Sequence, residues 1–281
     1  MAYKTLTLVV TNKDADGAAL AAAQGLARHH DAHLDVFCVG VDPARYEPLP
    51  AGSAAIVMET GAAEARAHAQ DMANWVEGEL RNSGLAYAVQ ASVVPNLGLD
   101  AMIARLTRYS DLAIAAQPYG QGAGHMQVSA LEASLFGTGV PILVIPPTSK
   151  ANYAAPFERV VIAWNESNEA FAAIRKAVPI LAAADRVDVV LVDPPSHSPE
   201  RSDPGGAICL LLARHGVRAE VSILSRTLPR VSEVIARFAQ DRSADLIVMG
   251  AYGHSRMREA ILGGATRDML EGAELPLFIA H

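Results

Sequence analysis

The sequence repeats its landmarks once, and this repeat restricts the fold more than any other feature. In each half an Asp-Leu pair, Asp111-Leu112 and then Asp245-Leu246, begins an apolar run that is followed by a Tyr-Gly pair. Later in each half a proline, Pro141 and then Pro276, introduces a last apolar run. Landmarks that recur in the same order indicate a tandem duplication. The 281 residues therefore divide into two copies of about 140 residues each.

Each copy alternates short aliphatic runs with Ala- and Leu-rich segments of helical spacing. Runs such as Leu6–Val10 and Leu246–Met249 have the length of buried strands, and the pattern of each copy is βαβαβαβαβ. This alternation predicts an α/β fold with parallel sheets and right-handed crossovers. The polar, proline-bearing stretch Pro146–Tyr153 is typical of a linker. We therefore expect one domain over residues 1–147 and a second over residues 154–281.

Composition excludes several classes of function. The chain is 51% hydrophobic and 5% aromatic, which suits helices on parallel sheets, and its net charge of −7 argues against general binding of nucleic acids. Cys38 and Cys209 form no CxxC pair, so neither a zinc site nor a disulfide framework is indicated. No signal-peptide core and no membrane-spanning apolar stretch is present in the sequence. We expect a soluble, cytoplasmic protein without membrane contact.

One glycine-rich stretch has the pattern of an anion site. The run Leu246–Met249 stops at Gly250 and Gly253, and Gly263-Gly264 follows where a helical pattern begins. Glycines let the backbone approach a phosphate, and the free N–H groups at a helix start point towards it. In an open α/β sheet the ligand crevice lies at the carboxyl ends of the first and fourth strands. This rule places Trp164-Asn165 beside Gly250.

These residues resemble the universal stress protein family, whose nucleotide loop reads Gly-x2-Gly-x9-Gly-(Ser/Thr). Gly250, Gly253 and Gly263 match the glycines and their spacing, whereas Gly264 replaces the final Ser or Thr. The resemblance covers both halves. It implies two doubly wound five-stranded, mostly parallel sheets with strand order 3-2-1-4-5, in the manner of the adenine nucleotide alpha hydrolases. Because the family dimerises through its last strand, it also implies an intramolecular pseudo-dimer between Ile142–Ile145 and Leu277–Ala280, with a further homodimer as an open alternative.

The resemblance also implies a set of ATP-binding residues in the second half. The set comprises the end of the first strand, the edge that covers adenine, the glycine loop and the phosphate cradle, namely Ala163, Trp164 and Asn165; Val192; Met249, Gly250 and Gly253; and Gly263, Gly264, Ala265 and Thr266. Asn165 stands where ATP-binding members carry Asp, and its amide can donate and accept hydrogen bonds. The missing hydroxyl at Gly264 removes one hydrogen bond to phosphate, which is worth about 0.5–1.5 kcal/mol.

The first half departs further from the family loop. Ala116 replaces the first glycine, Pro118 lacks an N–H, and no Gly-Gly pair follows. We therefore expect ATP only in the second half, and no or weak nucleotide binding in the first.

For several side chains the sequence is compatible with two different roles. Trp164 could pack in the core or line the crevice. Arg256 or Arg258 could neutralise a phosphate or be a solvated loop charge. His29, His30 and His33 lie at a helix-to-strand turn without a cysteine partner and are predicted to be surface residues rather than metal ligands. Lys13, Asp14 and Asp16 are predicted to form a turn and helix cap rather than a catalytic group.

Three functions follow from these patterns. The first is a cytoplasmic stress-response sensor or regulator that binds an adenine nucleotide in its second half. The second is a stress protein that acts through protein–protein contacts without nucleotide, which the losses at Asn165 and Gly264 favour. The third is a slow nucleotide hydrolase. The sequence shows no positioned general base, no carboxylate cluster for Mg²⁺ and no G-x-S-x-G string, so we assign no catalytic residue and no metal ligand.

Overall fold

The computed structural model describes residues 2–42, 54–119, 124–194, 203–251 and 264–281, with the backbone alone described at 54–58. The first half contains β1 (Thr5–Val10), α1 (Lys13–His30), β2 (His33–Asp42), α2 (Ala54–Leu80), β3 (Tyr87–Pro95), α3 (Leu99–Thr107), β4 (Leu112–Ala116), α4 (His125–Thr138) and β5 (Ile142–Ile145). The second half contains β6 (Arg159–Ala163), α5 (Asn168–Leu181), β7 (Arg186–Val192), α6 (Gly206–Arg214), β8 (Ala219–Leu224), α7 (Val231–Asp241), β9 (Leu246–Gly250), α8 (Gly264–Gly272) and β10 (Leu277–Ala280).

The strands form one ten-stranded sheet in the order β3-β2-β1-β4-β5-β10-β9-β6-β7-β8. The predicted order 3-2-1-4-5 is present in each half, and the strands within each half are parallel. The two predicted sheets are joined, because β5 and β10 pair antiparallel with Phe278 opposite Leu143. Both strands are buried along their whole length. Their pairing removes an exposed edge from each half.

The helices cover both faces of this sheet. The largest core lies between the sheet and α1, α2, α5 and α6, and it continues across both halves through residues such as Leu8, Leu143, Phe278, Ile162 and Ile174. A second core lies on the opposite face, where α7 and α8 cover β6 and β9. In the second half, α5 and α6 therefore cover one face of the sheet, and α7 and α8 cover the other.

The repeated Asp-Leu pair has the same structural role in each half. Asp111 Oδ2 accepts hydrogen bonds from the backbone N–H groups of Lys4 (2.7 Å) and Thr5 (3.0 Å). Asp245 accepts from the backbone N–H groups of Glu158 (2.7 Å) and Arg159 (3.1 Å). Each carboxylate therefore ties the start of its half's fourth strand to the start of the first.

Helix starts follow capping side chains in both halves. Asn12 Oδ1 accepts from the backbone N–H groups of Asp14 (2.8 Å) and Ala15 (3.1 Å), so Asn12 is the N-cap of α1. Ser167 Oγ accepts from Ala170 N at 3.1 Å and caps α5. The segment of Lys13, Asp14 and Asp16 thus lies at the capped start of a helix.

His30 is not a surface residue, contrary to the prediction. Its exposed fraction is 8%, and its ring packs edge-on against Tyr3 with the centroids 5.1 Å apart. Burial, together with the neighbouring His29 and Lys4, lowers the pKa of His30 to about 4. The Tyr3 hydroxyl in turn donates a 2.7 Å hydrogen bond to the backbone oxygen of Lys176 in the second half. The long-range packing of Tyr3 therefore buries a residue that local sequence assigned to the surface.

The stretch predicted as a linker packs on the first half. Gly25 of α1 lies so close to it that a Cβ there would be 2.8 Å from the carbonyl carbon of Tyr153. The Tyr153 hydroxyl and Ser149 Oγ are 2.7 Å apart. The boundaries 1–147 and 154–281 remain a prediction, since the sheet and the larger core continue through both. Among the residues that the structure describes, no helix is long and apolar enough to cross a membrane.

Candidate functional site

The apolar side chains predicted to contact adenine lie at the carboxyl ends of neighbouring strands. Ala163, at the end of β6, is paired in register with Met249 of β9, and Val192 ends the adjacent strand β7. All three pack with the core on the α7 and α8 face. Met249 is buried, whereas Ala163 and Val192 are partly exposed. The carboxyl ends of β6, β7 and β9 therefore carry an apolar surface that could take a flat aromatic base.

Trp164 lies on the other face of the sheet. Its exposed fraction is 7%, and it belongs to the core under α5 and α6. Its Nε1 is buried and has no hydrogen-bond partner among the described residues. The structure thus places the indole in the packing position and away from Ala163, Val192 and Met249.

Asn165 lies at the mouth of the crevice in a tight turn. The side chain is exposed, and its Oδ1 accepts a hydrogen bond from the backbone N–H of Ser167 at 3.2 Å. Glu166 between them has φ of 61°, in the left-handed region. The turn directs the chain into α5 and fixes one side-chain oxygen of Asn165, which an aspartate in this position could do as well.

Gly250 has a packing role that sequence reasoning missed. A Cβ at this position would lie 2.3 Å from the backbone nitrogen of Ala170 and 2.6 Å from the carbonyl carbon of Glu169. The start of α5 therefore approaches the end of β9 more closely than any side chain would allow. Steric fit to α5 is thus sufficient to require the first glycine of the motif. Local sequence does not indicate this contact, because Ala170 lies 80 residues earlier in the chain.

The predicted phosphate cradle is described only from Gly264 onward. Gly264 and Ala265 are exposed in the first turn of α8, and among the described residues outside that turn no atom lies within 4 Å of the place where a Cβ of Gly264 would be. Thr266 is buried at 6% exposure. The first backbone N–H groups of a helix have no partners within the helix, so an exposed start of this kind suits an anion. The other predicted residues of this loop lie outside the described residues, namely Gly253, Arg256, Arg258 and Gly263.

Arg230 is a cation near this site that the sequence did not single out. It precedes α7, and its Nη1 lies 3.1 Å from Asp268 Oδ1 in the second turn of α8. Its backbone N–H also donates to Glu233 Oε2 at 3.3 Å. The pair joins the starts of α7 and α8. Only the fold brings these residues together, and no local motif marks Arg230.

The first half holds a different arrangement at the equivalent place. The register of β1 and β6 makes Thr11 the counterpart of Asn165. Gln127 Nε2 donates to Thr11 Oγ1 at 2.9 Å, while Gln127 Oε1 accepts from Gly124 N at 2.8 Å just before α4. Both Gln127 and Thr11 are buried. The Gln127 side chain therefore forms hydrogen bonds with the Gly124 N–H at the start of α4 and with the Thr11 hydroxyl.

Asp16 extends this buried network. Its Oδ2 accepts hydrogen bonds from the N–H groups of Thr11 (2.7 Å) and Asn12 (2.9 Å), and from Thr11 Oγ1 at 3.3 Å. Burial raises the pKa of Asp16, and the hydrogen bonds from Thr11 and Asn12 oppose that rise. A cavity of about 20 Å³, which is enough for one water molecule, adjoins Thr11, Asp16 and Gln127. The polar side chains of Thr11, Asp16 and Gln127 therefore bond one another around this small cavity.

Metal chemistry finds no support in the described part of the chain. No group of three or more His, Cys, Asp or Glu side chains there is arranged to hold a metal ion. The two cysteines are both reduced, with Cys38 buried and Cys209 partly buried.

Comparisons with known proteins agree with this fold. Residues 156–281 match the family model described as the universal stress protein family. A curated relative, "Universal stress protein Slr1230" of Synechocystis sp. (strain ATCC 27184 / PCC 6803 / Kazusa), is 30% identical over 89 residues. That match covers 32% of this chain and 30% of the relative's length.

Two solved structures share the architecture across both halves. A universal stress protein from Archaeoglobus fulgidus DSM 4304 has a TM-score of 0.67 at 16% identity, with 98% of this chain and 95% of that chain covered. A functionally unknown protein from Pseudomonas aeruginosa PAO1 has a TM-score of 0.61 at 16% identity, with 99% and 92% covered. At such identity the likeness concerns the fold alone. The family match itself is confined to the second half of the chain, residues 156–281.

Proposed function

We propose that this chain binds one adenine nucleotide in its second half and serves as a nucleotide-dependent sensor or regulator in a cytoplasmic stress response. The observation that carries the proposal is the partly exposed apolar surface at the carboxyl ends of β6 and β7, in a half whose helix α8 starts at an exposed glycine. Ala163, Val192 and Met249 offer a surface for the base, and α8 begins at the exposed Gly264.

The residues present suit an adenine nucleotide in two respects. The partly exposed Ala163 and Val192 leave an apolar surface on which a base can be buried, and Asn165 offers a polar group at its rim. The open space around Gly264 lets a phosphate approach the first N–H groups of α8, where the helix dipole favours negative charge. The bound nucleotide would supply the signal, and the described residues provide binding without a positioned base for hydrolysis.

A calorimetric titration with ATP tests this function. We expect wild type to bind and Gly264→Asp to lose most of its affinity, because the new carboxylate would repel phosphate. An aspartate at a helix start is favourable to the helix itself, so folding should be preserved. Gly78→Asp is the matched control, since Gly78 also has open space around it but lies in α2 of the first half. No heat of binding from wild type at millimolar ATP would overturn the proposal.

A second function is favoured by two observations. Gly250 is required by its contact with Ala170, and Gly264 lacks the hydroxyl of the family loop, so the glycine pattern could persist without a ligand. In this alternative the chain acts through protein–protein contacts, including a homodimer of chains. Mass spectrometry of the protein as purified separates the two, because co-purified ATP or AMP would contradict the alternative.

A further inference from the structure

The first half contacts the C-terminal end of α8 through Gln117. This residue follows β4, and its backbone N–H donates to Ile145 O at 3.0 Å, which fixes it to the sheet. Its side-chain Nε2 donates to the backbone oxygens of Leu270 (2.7 Å) and Glu271 (3.2 Å). The last carbonyls of a helix have no donor within the helix. A glutamine from the other half therefore caps α8.

A second side chain of the same loop also touches α8. The guanidinium carbon of Arg267 lies 5.6 Å from the centre of the Tyr119 ring. The Arg267 Nε is held by Glu271 Oε1 at 2.7 Å. Tyr119 therefore adds a cation–π contact one turn before the carbonyls that Gln117 caps.

The chain that enters the glycine loop is held by the first half as well. His281 Nδ1 donates to Ala251 O at 3.0 Å, since a carbonyl oxygen can only accept. The His281 ring packs edge-on against Phe136 of α4, with the centroids 5.0 Å apart. Ala251 comes directly after β9 and α8 lies beyond the loop. The first half thus contacts α8 directly through Gln117 and Tyr119, and through Phe136 it contacts His281, which bonds the residue that follows β9.

We propose that Gln117 is a positioning residue for nucleotide binding in the other half of the chain. The proposal rests on the proposed function. α8 has nine residues and is about 13 Å long, so a cap on its last carbonyls sets where its first N–H groups lie. Gln117 does not touch the nucleotide. The loop that lost the glycine pattern in the first half thereby gains a role, which is to hold the phosphate-binding helix of the second.

Four variants and ATP calorimetry test this proposal. Gln117→Ala removes the donor and should raise the Kd for ATP roughly fivefold, a typical coupling between sites. Gln117→Glu sets a carboxylate against two carbonyl oxygens and should weaken binding further. Gln117→Lys should restore near wild-type affinity, because an ammonium group donates to the last carbonyls of a helix. Gln240→Ala, which removes an exposed glutamine that bonds Glu274 in the same half, should leave the Kd unchanged.

Hydrogen exchange of the α8 amides in nucleotide-free protein provides a second measurement. Gln117→Glu should exchange faster than wild type across Gly264–Gly272, and Gln240→Ala should not. Equal Kd values for wild type, Gln117→Ala and Gln117→Glu would overturn the positioning role while leaving the proposed function intact. Loss of affinity in Gln117→Lys equal to that in Gln117→Glu would overturn it too, because the effect would then follow any substitution. Absence of ATP binding by wild type would overturn the proposed function and with it this role.

Discussion

The side-chain nitrogen of Gln127 donates a 2.9 Å hydrogen bond to the hydroxyl oxygen of Thr11, across the crevice of the first half. The same side chain satisfies the N–H of Gly124 at the start of α4. In the second half, the corresponding helix α8 starts with the exposed Gly264. The start of α4 is therefore bonded by a side chain of its own helix, whereas the first two described residues of α8, Gly264 and Ala265, are exposed.

Gln127→Leu should destabilise the protein by about 1–3 kcal/mol, because it leaves Thr11 and Gly124 without their partner. Unfolding in urea, followed by circular dichroism, measures this. Gln240→Leu is the control and should stay within about 0.5 kcal/mol of wild type, since Gln240 is exposed. Equal stability of the two variants would show that the Gln127 network contributes nothing.

Gly250→Ala should cost about 1–3 kcal/mol of stability, the usual result of overpacking. The new methyl group would meet Ala170 N at 2.3 Å unless α5 moves away from β9. Gly264→Ala offers the contrast, because its surroundings are open and alanine favours a helix by about 1 kcal/mol relative to glycine. In thermal unfolding, Gly250→Ala should lower the Tm relative to wild type, and Gly264→Ala should raise it. A neutral Gly250→Ala would remove the steric explanation for that glycine.

Gly264→Ser should tighten ATP binding, since it restores the hydroxyl of the family loop. One net hydrogen bond of about 0.5–1.5 kcal/mol corresponds to a Kd roughly two- to tenfold lower. Gly272→Ser is the control at the other end of α8, where the surroundings of the glycine are equally open. If the two serine variants bind ATP alike, the start of α8 is not the place where phosphate binds.

His30→Phe should flatten the loss of stability in acid. The folded pKa of about 4 lies below the ordinary value of 6.5, so the neutral ring is favoured in the folded chain. The stability from neutral His30 is full above pH 6.5 and is lost as the pH falls towards 4, because the unfolded chain takes up the proton first. Urea unfolding at intervals between pH 7 and pH 4 measures the difference. His215→Phe, at an exposed histidine, should leave the acid slope as in wild type, and an unchanged slope in His30→Phe would contradict the account.

Features of the fold that depend on local pattern could be predicted from the sequence. The strand and helix alternation, the Ser167 cap and the repeated Asp111 and Asp245 follow from neighbouring residues, and the order 3-2-1-4-5 follows from the family resemblance.

The features that could not be predicted depend on residues distant in the chain. His30 is buried by Tyr3, Gly250 is confined by Ala170, and Gln127 reaches Thr11 over 116 positions. None of these contacts leaves a periodic or motif signal, because each is created when the halves fold. The sequence pattern at Gly250 is compatible with a tight turn or with ligand binding, and it does not show that packing against Ala170 already requires a glycine there.

The number of ATP molecules bound per chain tests the central claim most directly. Isothermal titration of the full chain, with the protein concentration fixed by amino-acid analysis, should give one site per chain. That stoichiometry should be the same in Gln127→Leu and should be lost in Gly264→Asp. Two sites in wild type, or one site that survives Gly264→Asp, would contradict a single nucleotide site in the second half.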